Sequence, residues 1–202
     1  MIRKNIWIII LLLCITSLIT LMIVSCNKTE ATTSEKENSA SFEIDRLMGE
    51  LGIIQVPHIA PPVDFSLFDL KSKKITLSDL IGKIVFLNFW TTWCWECRVE
   101  MPLMQELYDR FKDEDFTMVA INLNEPKSVV KKFLEKNKLT FTVLLDSDGE
   151  LGIPFGIRGI PTTYILDREG AIIVKVFGSR QWNGRKSISL FEYLLNERNQ
   201  KD

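Results

Sequence analysis

One apolar stretch that runs directly into a pair of cysteines constrains the fold of this chain more than any other feature. Residues Ile84–Trp90 (IVFLNFW) are apolar except for Asn88, which is typical of a central strand covered on both faces. The segment TTWCWECRVEMP follows at once. Apolar residues then recur at helical spacing, at Leu103, Met104, Leu107, Tyr108 and Phe111. We therefore predict a strand, a short junction that carries Cys94 and Cys97, and a helix.

Strand and helix patterns alternate along the chain from Pro57 onward, without internal repeats. Further strands are predicted at residues 63–67, 74–77, 116–123, 141–145, 162–166 and 171–177, and helices at 126–134 and 188–196. The sequence Asn-Glu-Pro at 124–126 should begin a helix with a capping side chain. Two glycines and a proline in segment 151–157 predict a short or irregular turn. The expected fold class is α/β, with a central mixed β-sheet flanked by helices and an N-terminal β extension.

The first 25 residues have the pattern of a secretory signal. Arg3 and Lys4 precede an almost unbroken apolar run at 6–24, which is long enough to span a bilayer. The sequence IVSC that ends at Cys26 resembles the bacterial lipobox, whose cysteine becomes lipidated and N-terminal after cleavage. We expect residues 1–25 to be a lipoprotein signal peptide or, alternatively, an uncleaved membrane anchor. Because basic residues remain on the cytoplasmic side, either alternative places the rest of the chain in the cell envelope, on the extracytoplasmic or periplasmic side.

Residues 26–56 are predicted to be a flexible tether, and residues 57–202 the folded domain. The stretch 27–41 lacks large apolar side chains, so burial cannot offset the entropy of ordering it. Residues 42–56 regain apolar side chains at helical spacing, which allows a short helix docked on the domain. A net charge of -1 gives no overall field that would attract nucleic acid.

Three chemistries suit the Cys-x-x-Cys pair: metal binding, a structural disulfide and thiol-disulfide exchange. A structural zinc site needs about four ligands, and beyond Cys26 the chain has only His58 and the two cysteines of the pair, so we expect no metal. A bridge across so short a loop removes little entropy from the unfolded chain. At a helix start, free N–H groups and the macrodipole favour a thiolate on Cys94. Exchange without any cofactor, in which Cys94 attacks and Cys97 resolves, therefore fits best.

The run NFWTTWCWEC, with Glu100 and Pro102 behind it, resembles the thioredoxin superfamily and most closely its TlpA/ResA-like branch of extracytoplasmic thiol-disulfide oxidoreductases. The resemblance extends from about residue 57 to the C-terminus. The sequence GIPTT at 159–163 is similar to the family's loop that faces the cysteines, in which the proline is cis.

The resemblance implies a thioredoxin-like fold and assigns roles to several residues. The backbone at Ile160, next to Pro161, would bind an extended substrate segment. Glu100 would tune the dithiol and accept its proton. Electrons would arrive from a membrane thiol transporter of the DsbD/CcdA kind, and apocytochrome c is a suggested substrate.

The residues between the two cysteines depart from the family, because thioredoxins carry Gly-Pro where this chain has Trp95 and Glu96. The like charge of Glu96 should disfavour the Cys94 thiolate and make the couple a strong reductant. Asn88 stands where thioredoxin has a buried aspartate, which leaves Glu100 as the proton acceptor. Trp93 and Trp95 flank the thiol and are predicted to form an apolar platform for a partner chain.

Two other function classes stay open. A peroxiredoxin would carry Pro, then Thr or Ser, then Cys at fixed spacing; Thr91 stands three residues before Cys94, but Leu87 occupies the position of the proline. A surface lipoprotein with an idle dithiol would use the same fold only for binding.

Overall fold

The computed structural model describes residues 46–49, 51, 53–59 and 64–196. The predicted signal or anchor, the lipidation site Cys26 and residues 26–45 of the predicted tether lie outside these ranges. In the described ranges, no helix combines the length and the apolar character that crossing a membrane requires.

Eight strands and three helices, together with the helical residues 46–49, form the described fold. The strands are β1 (Ile54–Ile59), β2 (Ser66–Asp69), β3 (Lys74–Thr76), β4 (Ile84–Trp90), β5 (Phe116–Leu123), β6 (Thr142–Asp146), β7 (Thr162–Leu166) and β8 (Ile172–Phe177). The helices are α1 (Trp95–Phe111), α2 (Lys127–Asn137) and α3 (Arg185–Asn196), and a 3₁₀ turn covers Ser78–Leu80.

The strands join into one mixed sheet in the order β1-β8-β7-β4-β5-β6-β2-β3. Strands β4, β5 and β6 are parallel, as right-handed crossovers through α1 and α2 require. Strand β7 is antiparallel to both β4 and β8, and β2 and β3 form a hairpin on the edge next to β6. The mixed sheet and the N-terminal β extension are therefore confirmed.

The described residues include some that lie upstream of the predicted domain boundary at residue 57. Residues 46–49 are helical, and Leu47 and Met48 are buried. Strand β1 then pairs with β8 at the sheet edge, where Pro57 is tolerated because an edge strand does not need every N–H in the ladder. The boundary at residue 57 thus falls inside β1.

Strand β4 lies at the centre of the sheet and is buried along its whole length, as its apolar run predicts. On one face its odd-numbered residues join a core cluster that includes Phe155, Tyr164 and Phe65. On the other face Phe86 contacts Trp182 and the α3 residue Phe191, with ring centroids 4.8 and 6.0 Å apart. Because β4 is fixed on both faces, its carboxyl end provides a rigid base for the cysteine junction.

Two local predictions have different outcomes. The turn predicted at 151–157 is present, since these residues form turns without a regular helix. The side-chain cap predicted for α2 is wrong: its N-cap is Pro126, and no side chain of the described residues caps the helix. The neighbouring Glu125 carboxylate instead accepts hydrogen bonds from Thr92 and Asn122.

Candidate active site

The two cysteines lie where β4 passes into α1. Cys94 is the N-cap of α1, and its sulfur accepts a hydrogen bond from the backbone N–H of Cys97 at 3.1 Å. A disulfide joins the two residues, whose Cα atoms are 5.3 Å apart. Cys94 is 7% exposed and Cys97 is fully buried. An approaching molecule therefore reaches the Cys94 sulfur first.

The loop at residues 159–161 faces the exposed cysteine. The Ile160–Pro161 peptide bond is cis, and the carbonyl oxygen of Ile160 lies 3.7 Å from Cys94 Sγ. This is a contact in the disulfide form, because the bonded sulfur carries no hydrogen; a Cys94 thiol would have the same oxygen within reach as an acceptor. The loop is held in place from β8, since the N–H of Gly178 donates to the carbonyl oxygen of Pro161 at 2.8 Å.

The three tryptophans around the junction divide into one core residue and two surface residues. Trp90 is fully buried and contacts Phe133 with ring centroids 5.2 Å apart. Trp93 and Trp95 are 71% and 72% exposed. Val99, four residues after Trp95 on the same face of α1, is also exposed, which extends the apolar surface along the helix.

Glu100 lies in a buried hydrogen-bond network beneath the dithiol. Its Oε1 accepts from Asn88 Nδ2 at 3.0 Å, and its Oε2 accepts from Trp182 Nε1 at 3.1 Å and from the Arg180 backbone N–H at 3.3 Å. Asn88 Nδ2 also donates to Thr163 Oγ1 on β7 at 2.9 Å. Donors from β4 and from residues 180–182 thus hold the carboxyl group, and Asn88 links it indirectly to β7.

Burial gives Glu100 an unusual proton affinity. The side chain is 0% exposed, and the loss of hydration raises its pKa from 4.5 to about 7, although the bonds from Trp182, Arg180 and Asn88 oppose the rise. Glu100 follows Cys97 by three residues on α1, so both side chains lie on the same helix face. A carboxyl group that titrates near neutral pH is suited to exchange a proton with a thiol.

The similarity to known proteins covers the two cysteines, Glu100 and the cis-proline loop. A family model described as the AhpC/TSA family matches residues 57–175, more than half of the chain. The chain belongs to the AhpC/TSA family. The thiol-disulfide oxidoreductase ResA of Bacillus thuringiensis subsp. konkukian is 39% identical over 117 residues, which are 58% of this chain and 68% of the relative. ResA of Bacillus subtilis is 40% identical over 116 residues, or 57% of this chain and 65% of the relative.

Solved structures share the fold of this AhpC/TSA-family protein. StoA from Bacillus subtilis is 31% identical, with a TM-score of 0.56 over 68% of this chain and 98% of that structure. A thiol:disulfide interchange protein of the thioredoxin family from Chlorobium tepidum TLS is 28% identical, with a TM-score of 0.59 over 69% of this chain and 97% of that structure. The predicted thioredoxin-like fold and the ResA-like resemblance are confirmed, and the protein is a thiol-disulfide oxidoreductase.

Glu96, the residue in which this AhpC/TSA-family chain departs from Gly-Pro, points towards the end of β8. A Cβ atom built on Gly178 would lie 3.7 Å from Glu96 Oε2 and 3.9 Å from Arg180 Nη1. The Arg180 guanidinium and the Glu96 carboxylate therefore both lie beside Gly178.

Sequence reasoning missed Glu125 and Thr92. Glu125 is buried, and its carboxylate binds the backbone and the hydroxyl of Thr92, two residues before Cys94. The signal that could have revealed it is weak: a carboxylate two residues after a buried strand and directly before a proline, at the same sheet end as the cysteines.

No group of three or more His, Cys, Asp and Glu side chains in the described ranges is arranged to hold a metal ion. The side chain of His58 lies outside what the structure describes.

Proposed function

We propose that this protein reduces disulfides of other proteins on the extracytoplasmic side of the cell envelope. The observation that carries the proposal is the asymmetry of the dithiol: the Cys94 sulfur is partly accessible beside the cis-proline loop, whereas the Cys97 sulfur is buried behind it. Such an arrangement favours one cysteine as the nucleophile and reserves the other for the second step.

The exchange has two steps. The Cys94 thiolate attacks one sulfur of the substrate disulfide, so that a mixed disulfide forms and the first substrate thiol leaves. The Cys97 thiolate then attacks the Cys94 sulfur, releases the second substrate thiol and leaves the Cys94–Cys97 disulfide. The substrate gains two electrons and two protons, and the protein loses them.

Glu100 is proposed to accept the proton of Cys97 as that residue becomes the nucleophile. A pKa of about 7 supports this role, because the carboxylate then matches a thiol far better than an ordinary glutamate does. Asn88 is proposed to tune the couple through its hydrogen bond to Glu100, and Glu96 through its charge.

The substrate is proposed to lie as an extended segment across the exposed end of the site. The backbone beside Ile160 and Pro161 would pair with it, as an added strand does. Trp93 and Trp95 would cover its apolar side chains, which is supported by their exposure of more than two thirds.

The cellular setting is proposed from the sequence. Residues 1–25 would act as a lipoprotein signal peptide or anchor, Cys26 would carry the lipid, and the tether after it would hold the folded domain near the membrane. A membrane thiol transporter of the DsbD/CcdA type would resupply electrons, since the exchange consumes two per cycle. Apocytochrome c is the proposed substrate, on the basis of the family resemblance of the sequence.

A trapping experiment tests this function. The full-length Cys97→Ala variant, expressed in an intact envelope, should accumulate as mixed disulfides on Cys94, which mass spectrometry after non-reducing separation would identify. The matched control is the Cys94→Ala/Cys97→Ala variant, which should trap nothing. Equal, empty lanes for both variants would contradict the proposal.

A further inference from the structure

Three hydrogen-bond donors converge on the buried carboxylate of Glu125. The backbone N–H of Thr92 and the side-chain amide of Asn122 each donate to Oε2 at 2.7 Å. The Thr92 hydroxyl donates to Oε1 at 2.5 Å. Glu125 is 7% exposed, so these bonds lie away from competing water.

A carboxylate can accept all three bonds without any rearrangement, because an ionised carboxyl group accepts on both oxygens and has about four lone-pair positions. A glutamine with its oxygen at the Oε2 position would place its NH₂ group at the Thr92 hydroxyl, which would have to turn and accept instead of donate. Charge-assisted bonds of this kind are shorter and stronger than neutral ones. Thr92 donates two of the three bonds, and Asn122 on β5 donates the third to the same carboxylate.

Thr92 lies in the short junction between β4 and α1, where regular secondary structure gives no support. Trp93 follows it and is 71% exposed, so burial does not fix that side chain. Trp90 Nε1 and Thr91 Oγ1 are buried without a hydrogen-bond partner in the part of the chain that the structure describes. The Glu125 carboxylate is therefore a strong tie between the sheet and the residues just before Cys94.

We propose that Glu125 is a positioning residue for dithiol exchange. Through Thr92 it holds the junction so that Cys94 stays against the cis-proline loop, with its sulfur 3.7 Å from the Ile160 carbonyl oxygen. The inference rests on the proposed function for the reaction it serves. A displacement of about 1 Å in a reacting group can slow a reaction by up to about 100-fold, so release of the junction should be visible in the rate.

The test compares Glu125→Gln, Thr92→Val, the double variant and Thr92→Ser with the full-length wild-type protein. Each reduced protein is mixed with insulin and, separately, with hydroxyethyl disulfide, a small disulfide that needs little docking. Thermal unfolding curves are used to select a temperature at which every variant is folded. Glu135→Gln, an exposed glutamate on α2, is the matched control.

We expect Glu125→Gln and Thr92→Val each to lower the second-order rate constant about tenfold with both disulfides, because each removes part of the same contact. The double variant should be no slower than the slower single variant. Thr92→Ser keeps the hydroxyl and should recover most of the rate, and Glu135→Gln should match the wild type.

Three results would overturn the inference: folded Thr92→Val and Glu125→Gln proteins that react at the wild-type rate, losses that multiply in the double variant, or a Thr92→Ser protein as slow as Thr92→Val. If Glu125→Gln does not fold, the two Thr92 variants decide alone. A wild-type protein that reduces neither disulfide refutes the proposed function, and this inference with it, whereas an active wild type with unaffected variants refutes only the role of Glu125.

Discussion

The buried carboxyl group of Glu100 should make the stability of the oxidised protein depend on pH. Its pKa is raised from 4.5 to about 7 by burial. A raised folded-state pKa means that the native protein holds the proton more tightly than the unfolded chain does. The contribution of the Glu100 proton to the free energy of unfolding is therefore fully present below about pH 4.5 and is lost as the pH rises through about 7.

The size of this effect follows from the two pKa values. Each pKa unit corresponds to about 1.4 kcal/mol, so the difference between 4.5 and about 7 amounts to about 3 kcal/mol. Because stability of a domain is typically about 5 to 15 kcal/mol, this loss is large enough to measure. No discount for solvent screening is needed, since the side chain is 0% exposed.

Glu100→Gln is the variant that isolates this titration. The glutamine NH₂ group can be accommodated, because Asn88 Oδ1 is buried and has no hydrogen-bond partner among the described residues, so that it can accept from this group if the Asn88 amide turns over. Urea unfolding of both oxidised proteins, from about pH 4 to pH 8, gives the free energy of unfolding at each pH. The wild type should lose about 3 kcal/mol more than the variant over this range. Parallel curves for the two proteins would refute the reasoning.

Two further predictions concern residues around the dithiol. Trp182→Phe removes the N–H that donates to Glu100 Oε2 at 3.1 Å, so the pKa of Glu100 should rise further. The same unfolding experiment should then show the loss of stability at a higher pH. An unchanged midpoint pH would mean that this bond does not determine the pKa of Glu100. Trp95→Ala should lower kcat/KM for protein disulfides about tenfold but leave the rate with hydroxyethyl disulfide unchanged. Phe68→Ala, which removes another exposed aromatic side chain, is the control. Equal effects of Trp95→Ala on both disulfides would argue against docking at Trp95.

The centre of the fold was predictable because its signals are local. Strand β4 is apolar almost throughout, and a strand buried on both faces needs such a run. The helical spacing that follows identifies α1 in the same way. Strand β1 was not predictable, because the sequence IQVPHI contains a proline and becomes a strand only by pairing with β8, more than 100 residues later.

The site was predictable to the extent that its residues are close in sequence. Cys94, Cys97 and Glu100 lie within seven positions on one helix start, and the cis proline follows from the family resemblance. The bonds from Arg180 and Trp182 to Glu100 cross 80 and 82 positions, and no sequence pattern reports them.

The mistaken cap of α2 has the same origin as the omission of Glu125 from the predicted site. A polar residue before a helix usually caps it. Here the Glu125 carboxylate accepts two hydrogen bonds from Thr92, which lies 33 positions earlier. A contact between residues so far apart cannot be predicted from the local sequence.

The central claim is that this thiol-disulfide oxidoreductase acts as a reductase. Its most direct test is the reduction potential of the Cys94–Cys97 couple. The full-length protein would be equilibrated at pH 7 with dithiothreitol buffers of graded ratio, and the reduced fraction counted by alkylation. We predict a potential close to that of thioredoxin, about −270 mV. A potential close to that of DsbA, about −120 mV, would contradict the claim and identify the protein as an oxidant.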